Sequence, residues 1–110
     1  MVSCAKCIIE LIGLAEASMD ADRFLEEKKW ESVKALQEGV KKTVEELYKM
    51  GCIGRENYEI LSSYVKALED AIEKEDEFQT AMFFGAVRSR ARLAAYDVEE
   101  ACIKSKLSHI

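Results

Sequence analysis

Residues 26–51 read EEKKWESVKALQEGVKKTVEELYKMG, and whether the chain turns at the start of this stretch decides the fold. From Trp30 onward, Val33, Leu36, Val40, Thr43, Leu47 and Met50 recur at steps of three and four, which places them on one stripe of a helix. Lys34, Glu38, Lys41, Lys42, Glu45 and Lys49 occupy the other face, with Glu38–Lys42 and Glu45–Lys49 in the favourable i,i+4 order. Gly51 follows, where a left-handed residue commonly closes a helix. The spacing predicts a helix over 30–50. The charged cluster before Trp30 holds neither glycine nor proline, so its role as a turn rests on the pattern around it.

Upstream, Ser3 is placed to cap a helix over 3–28 that carries Ile8, Leu11, Ile12, Ala15, Met19 and Leu25. Downstream, Gly51 and Gly54 frame a loop. A third helix over 55–74 carries Tyr58, Leu61, Val65, Leu68 and Ile72, with Tyr64 and Ala71 beside them. The segment Lys74-Glu75-Asp76-Glu77-Phe78 repeats the earlier pattern of charges followed by an aromatic, and a fourth helix over 77–106 carries Phe84, Val87, Ala91, Ala94, Val98 and Ala101. No alternating run of strand length occurs. Were both charged clusters helical, the chain would form two rods of roughly 70–75 Å, too long to bury their stripes without dimerising. The reading adopted is all-α: an antiparallel, up-down-up-down four-helix bundle, with residues 1–110 as a single domain. The likeness of the two clusters also hints at a duplicated hairpin.

The chain has 110 residues, 49% of them hydrophobic and 34% charged, enough apolar material for a core without cross-links. Its net charge of −5 argues against nucleic acid or an anionic membrane as the general partner. The stretch from Ile8 to Ala15, interrupted by Glu10, is far shorter than the ~20 apolar residues of a membrane span. No targeting segment is evident, and the expected location is cytoplasmic, where thiols stay reduced and metal or redox roles outrank structural disulfides. The charge-rich, proline-free composition also suits a thermophile, whose intracellular proteins can carry disulfides.

Four cysteines, Cys4, Cys7, Cys52 and Cys102, are scattered along the sequence. In an up-down-up-down bundle, the start of the first helix, the loop between the second and third, and the end of the fourth share one end, so topology gathers all four at one pole. Gathered thiolates would suit zinc or an iron–sulfur cluster. Cys4-x-x-Cys7 at a helix start also suits a redox dithiol, because the helix N-terminus stabilises a thiolate. The plain alternative is that Cys52 and Cys102 are small buried residues while Cys4 and Cys7 sit in an ordinary terminus.

Other candidates are weaker. Arg88 and Arg92 lie one turn apart and could hold an anion or a partner carboxylate, though ion pairing to neighbouring helices is the expected role. Adjacent Phe83 and Phe84 cannot both face one stripe, so one of them is a candidate interface residue. Glu69, Asp70, Glu73, Glu75, Asp76 and Glu77 read as a solvated turn at the pole opposite the cysteines. Glu56-x-x-Glu59 with Glu73-x-x-Asp76 resembles the magnesium motif of all-α nucleotide pyrophosphohydrolases. Here, however, the halves bracket one helix, roughly 25 Å apart at the standard rise, and do not share an ion. The single histidine, His109, lies next to last, and no nucleophile or phosphate-loop motif is present. The expected function is non-enzymatic: a helical interaction or assembly module that binds a protein partner or itself. A metal-binding or thiol-responsive bundle is the alternative.

Overall fold

A computed structural model describes residues 3–107, with side chains described for 3–105, so His109 lies outside the described residues. The chain forms four helices: α1 (Cys4–Glu26), α2 (Trp30–Lys49), α3 (Arg55–Glu73) and α4 (Glu77–Leu107). Each packs against two neighbours, in the ring order α1, α2, α3, α4 and back to α1. Specific pairs fix the directions. Gln37 reaches the Val65 carbonyl and Tyr58 reaches Glu45, so α2 and α3 run antiparallel. Arg90 meets Asn57 and Phe83 meets Tyr64, which does the same for α3 and α4. The assembly is a rod of 53 × 22 × 18 Å.

Both charged clusters are turns, and the three inter-helix turns share one construction. At the first, the Lys29 N–H donates to the Phe24 carbonyl at 2.8 Å around Lys28, whose φ is 55°. At the second, Cys52 N–H donates to Leu47 O at 2.9 Å around Gly51, φ 76°. At the third, Asp76 N–H donates to Ala71 O at 3.0 Å around Glu75, φ 50°. Each is a six-residue closure about a left-handed residue, the geometry that satisfies the last carbonyls of a helix. Only the middle one uses glycine. A side chain in that conformation costs roughly 1–2 kcal/mol. Lys28→Gly and Glu75→Gly are therefore each expected to raise the unfolding free energy, by about 0.5–1 kcal/mol after the added freedom of the unfolded glycine. Urea denaturation measures this, and an unchanged or lower midpoint in both variants would contradict it.

Helix starts are capped where the sequence allows. Ser3 Oγ accepts the Lys6 N–H at 3.2 Å, and the Asp76 carboxylate accepts the Gln79 N–H at 3.0 Å. The core runs the length of the rod, and Leu11, Leu47, Leu61, Leu68 and Phe84 are its largest fully buried side chains. On α2 the buried stripe is Val33, Gln37, Val40, Val44 and Leu47, rotated slightly from the expected one because Gln37 turns inward to donate to Val65. On α1, Ile12 and Met19 were expected in the core but are exposed. Cys7, Leu11, Leu14, Ala15, Ser18, Ala21 and Leu25 face inward instead. Trp30 is half-buried whereas Phe78 is 78% exposed, so the two aromatics after the turns are not equivalent. That weakens the suggested duplication.

Candidate functional site

The four cysteines do meet at one pole, and they meet as two disulfides: Cys4–Cys102 and Cys7–Cys52. The first links the start of α1 to the last turns of α4, across a Cα separation of 6.4 Å. The second links the next turn of α1 to the α2–α3 loop, across 5.3 Å. Both separations lie within the range a disulfide bridges without moving the backbone. This corrects the expectation of reduced thiols, since antiparallel packing brings the sulfurs into bonding range in pairs. In this form the sulfurs are bonded to one another and offer no thiolates to zinc or an iron–sulfur cluster.

The two bonds differ in access. Cys7 and Cys52 are 6% and 5% exposed and belong to the core cluster with Leu11 and Ile53. Cys4 is exposed and Cys102 half-exposed. Together the four border a shallow hollow of about 320 Å³ that also takes in Asn57 and Asp97. Cys4-x-x-Cys7 is thus not itself a disulfide. Its two sulfurs are three residues apart on α1, and one bonds to α4 while the other bonds to the α2–α3 loop.

The loop that presents Cys52 is braced from both sides. Tyr48, near the end of α2, stacks on Tyr58, in the first turns of α3, with ring centroids 4.1 Å apart and planes 14° from parallel. The Tyr58 hydroxyl donates to Glu45 at 2.8 Å, and this bond to a carboxylate holds the phenol above its ordinary pKa. Ile53 is buried beside Cys52. Cys52 is therefore held by packing and not only by its bond to Cys7.

The remaining candidates separate. Phe84 is 1% exposed and belongs to the core, while Phe83 is half-buried with its ring 6.4 Å from that of Tyr64. Neither projects as a fully exposed aromatic, and of the two only Phe83 reaches the surface. Arg90 donates to Asn57 Oδ1. Arg88 is half-buried and Arg92 exposed, and neither pairs with an acid among the described residues, contrary to the ion pairing expected of them. Glu56 and Glu73 lie at opposite ends of α3, which keeps the pyrophosphohydrolase-like motif apart. Glu69, Glu73 and Glu75 line an open groove between α2 and α3 with Glu31, Lys34 and Lys41. Among the described residues, no three His, Cys, Asp or Glu side chains are placed to hold a metal ion.

Sequence reading notes surplus apolar positions at the edges of helices one and four but does not resolve which of those residues face outward. Of the exposed large apolar side chains among the described residues, all but Tyr48 lie on α1 (Ile9, Ile12, Met19) or α4 (Phe78, Met82, Leu93, Tyr96, Ile103). The signal was present in the sequence as apolar residues on every side of α1 and α4. Helices 2 and 3, by contrast, divide cleanly into an apolar and a charged face.

These features define the chain as an antiparallel four-helix bundle cross-linked at one pole by two disulfides. No known protein family, curated protein or solved structure matches it. No described helix is long and apolar enough to cross a membrane.

Proposed function

We propose that this protein is a helical interaction module that binds a protein partner, or a second copy of itself, through the outer faces of α1 and α4. One observation carries the reading: large apolar side chains stand in solvent on these two helices and almost nowhere else. Phe78 is 78% exposed, Tyr96 68%, Ile9 67% and Met19 63%. The five on α4 fall on one helical stripe, on the side opposite the buried Thr80, Phe84, Val87, Ala91 and Ala94. Large exposed apolar side chains concentrated on the outer sides of two helices point to a contact site. Arg88 and Arg92 flank the α4 stripe, so their charge favours a partner segment that carries acids beside its apolar residues. The net charge of −5 keeps nucleic acid a poor candidate.

Photo-crosslinking tests this, with a photoreactive residue placed at Tyr96 and, as a control, at Glu38 on the charged face of α2. Adducts should form at position 96 and be scarce at position 38. Twice the chain mass would identify a second copy, and any other discrete mass a partner. Equal labelling at both positions, or none at 96, would overturn the reading.

A second reading is favoured by the crosswise pairing of the cysteines: the same bundle responds to thiol redox state. On reduction, four thiols at one pole would also offer a set of ligands to zinc or an iron–sulfur cluster. Elemental analysis of protein reduced and purified without oxygen checks the metal part directly.

A further inference from the structure

We propose that the first turn of α1 is a thiol–disulfide exchange site that takes a dithiol reductant at the outer Cys4–Cys102 bond and relays the exchange inward to Cys7–Cys52. The proposal rests on the thiol-responsive reading above and assigns it a route. Three observations carry it. The outer bond reaches solvent through exposed Cys4 and half-exposed Cys102, whereas the inner bond joins residues 6% and 5% exposed. A reductant of any size therefore meets the outer bond first. Cys4 and Cys7 are one residue of each pair, three positions apart on the same helix and hence neighbours on its surface. Cys4 is the first residue of α1, after the Ser3 cap, where unpaired backbone N–H groups favour a thiolate over a thiol.

The chemistry balances in two exchanges. A dithiol thiolate attacks Cys4–Cys102, and its second thiol resolves the mixed disulfide. The reductant leaves oxidised to a disulfide, and Cys4 and Cys102 emerge as thiols. The Cys4 thiolate then attacks Cys7 Sγ along the Cys7–Cys52 bond. A Cys4–Cys7 bond forms, the Cys7–Cys52 bond breaks, and Cys52 departs as a thiolate that takes a proton from water. This second exchange needs no further electrons. Its product is a disulfide confined to one turn of α1, which ties no helix to another. One two-electron reduction at the surface thus releases both α4 and the α2–α3 loop.

Two variants that both lack the outer bond separate the relay from simple exposure. Cys102→Ser keeps the attacking thiol of Cys4, and Cys4→Ser removes it. Under a fixed concentration of dithiothreitol, the inner bond should open at least about tenfold faster in Cys102→Ser, because its nucleophile is held beside the target. Peptide mapping of acid-quenched Cys102→Ser should show a Cys4–Cys7 linkage with Cys52 free. Equal opening rates and no such linkage would overturn the relay. If wild-type protein keeps the same urea midpoint whether oxidised or fully reduced, the thiol-responsive reading itself fails, a separate outcome from failure of the relay.

Discussion

Replacing Cys7 and Cys52 together with alanine is expected to lower the unfolding free energy by about 3 kcal/mol while leaving the helix content of the folded protein unchanged. The estimate follows from what cross-links do to the unfolded chain. Taken alone, bonds spanning 98 and 45 residues are worth about 4.7 and 4 kcal/mol of unfolded-state entropy. They do not add. Once Cys4–Cys102 closes the chain into a ring, Cys7–Cys52 joins two arms of that ring in parallel, and its share falls to about 3.5 kcal/mol. Some freedom regained in the folded variant reduces this slightly. Removing both bonds approaches 8 kcal/mol, against a total stability of roughly 5–15 kcal/mol for a domain of this size. Urea denaturation of Cys7→Ala/Cys52→Ala reads the effect twice. The midpoint falls, and the m-value rises because the freed unfolded chain exposes more surface. A loss under 1 kcal/mol with an unchanged m-value would mean that packing by Ile53 and the Tyr48–Tyr58 stack already hold the loop, and that the bond adds little.

How far the sequence revealed this molecule depended on how sharply each helix separates its faces. Helices 2 and 3 alternate apolar and charged residues at helical period, and their boundaries were read to within a residue. Helices 1 and 4 are apolar on several sides, so periodicity located them without saying which side is inward. Ile12 and Met19 were placed in the core on that ambiguous signal and stand in solvent. The turns at Lys28 and Glu75 were legible only as charged clusters, because the left-handed conformation that glycine would have announced is adopted by a lysine and a glutamate. The gathering of four cysteines followed from topology. Their pairing did not, since four cysteines allow three connectivities and the choice depends on Cα separations of a few ångströms.

The adjacent phenylalanines give the other large expected effect. Phe84→Ala should cost about 3–5 kcal/mol, whereas Phe83→Ala should cost clearly less. Sequence alone left the pair ambiguous, while the structure places Phe84 at 1% exposure and Phe83 half-buried beside Tyr64. Phe84 supplies most of the bulk that α4 puts into the core, because the inward residues that follow, Val87, Ala91 and Ala94, are small. Truncation leaves a void that neighbouring alanines cannot fill, and relaxation around it is limited in a close-packed interior. Antiparallel packing sets Phe84 beside the end of α1 distant from Cys7, more than ~10 Å away, so its loss and that of the inner disulfide should add. The expected sum for Cys7→Ala/Cys52→Ala/Phe84→Ala is about 6–8 kcal/mol, enough to abolish a cooperative transition in a domain of this size. Thermal melts followed by circular dichroism would check this. Phe84→Ala alone should still unfold cooperatively with both disulfides intact, and the combined variant should not. If the combined variant melts as sharply as Phe84→Ala, the cysteine pole does not stabilise the bundle as a whole.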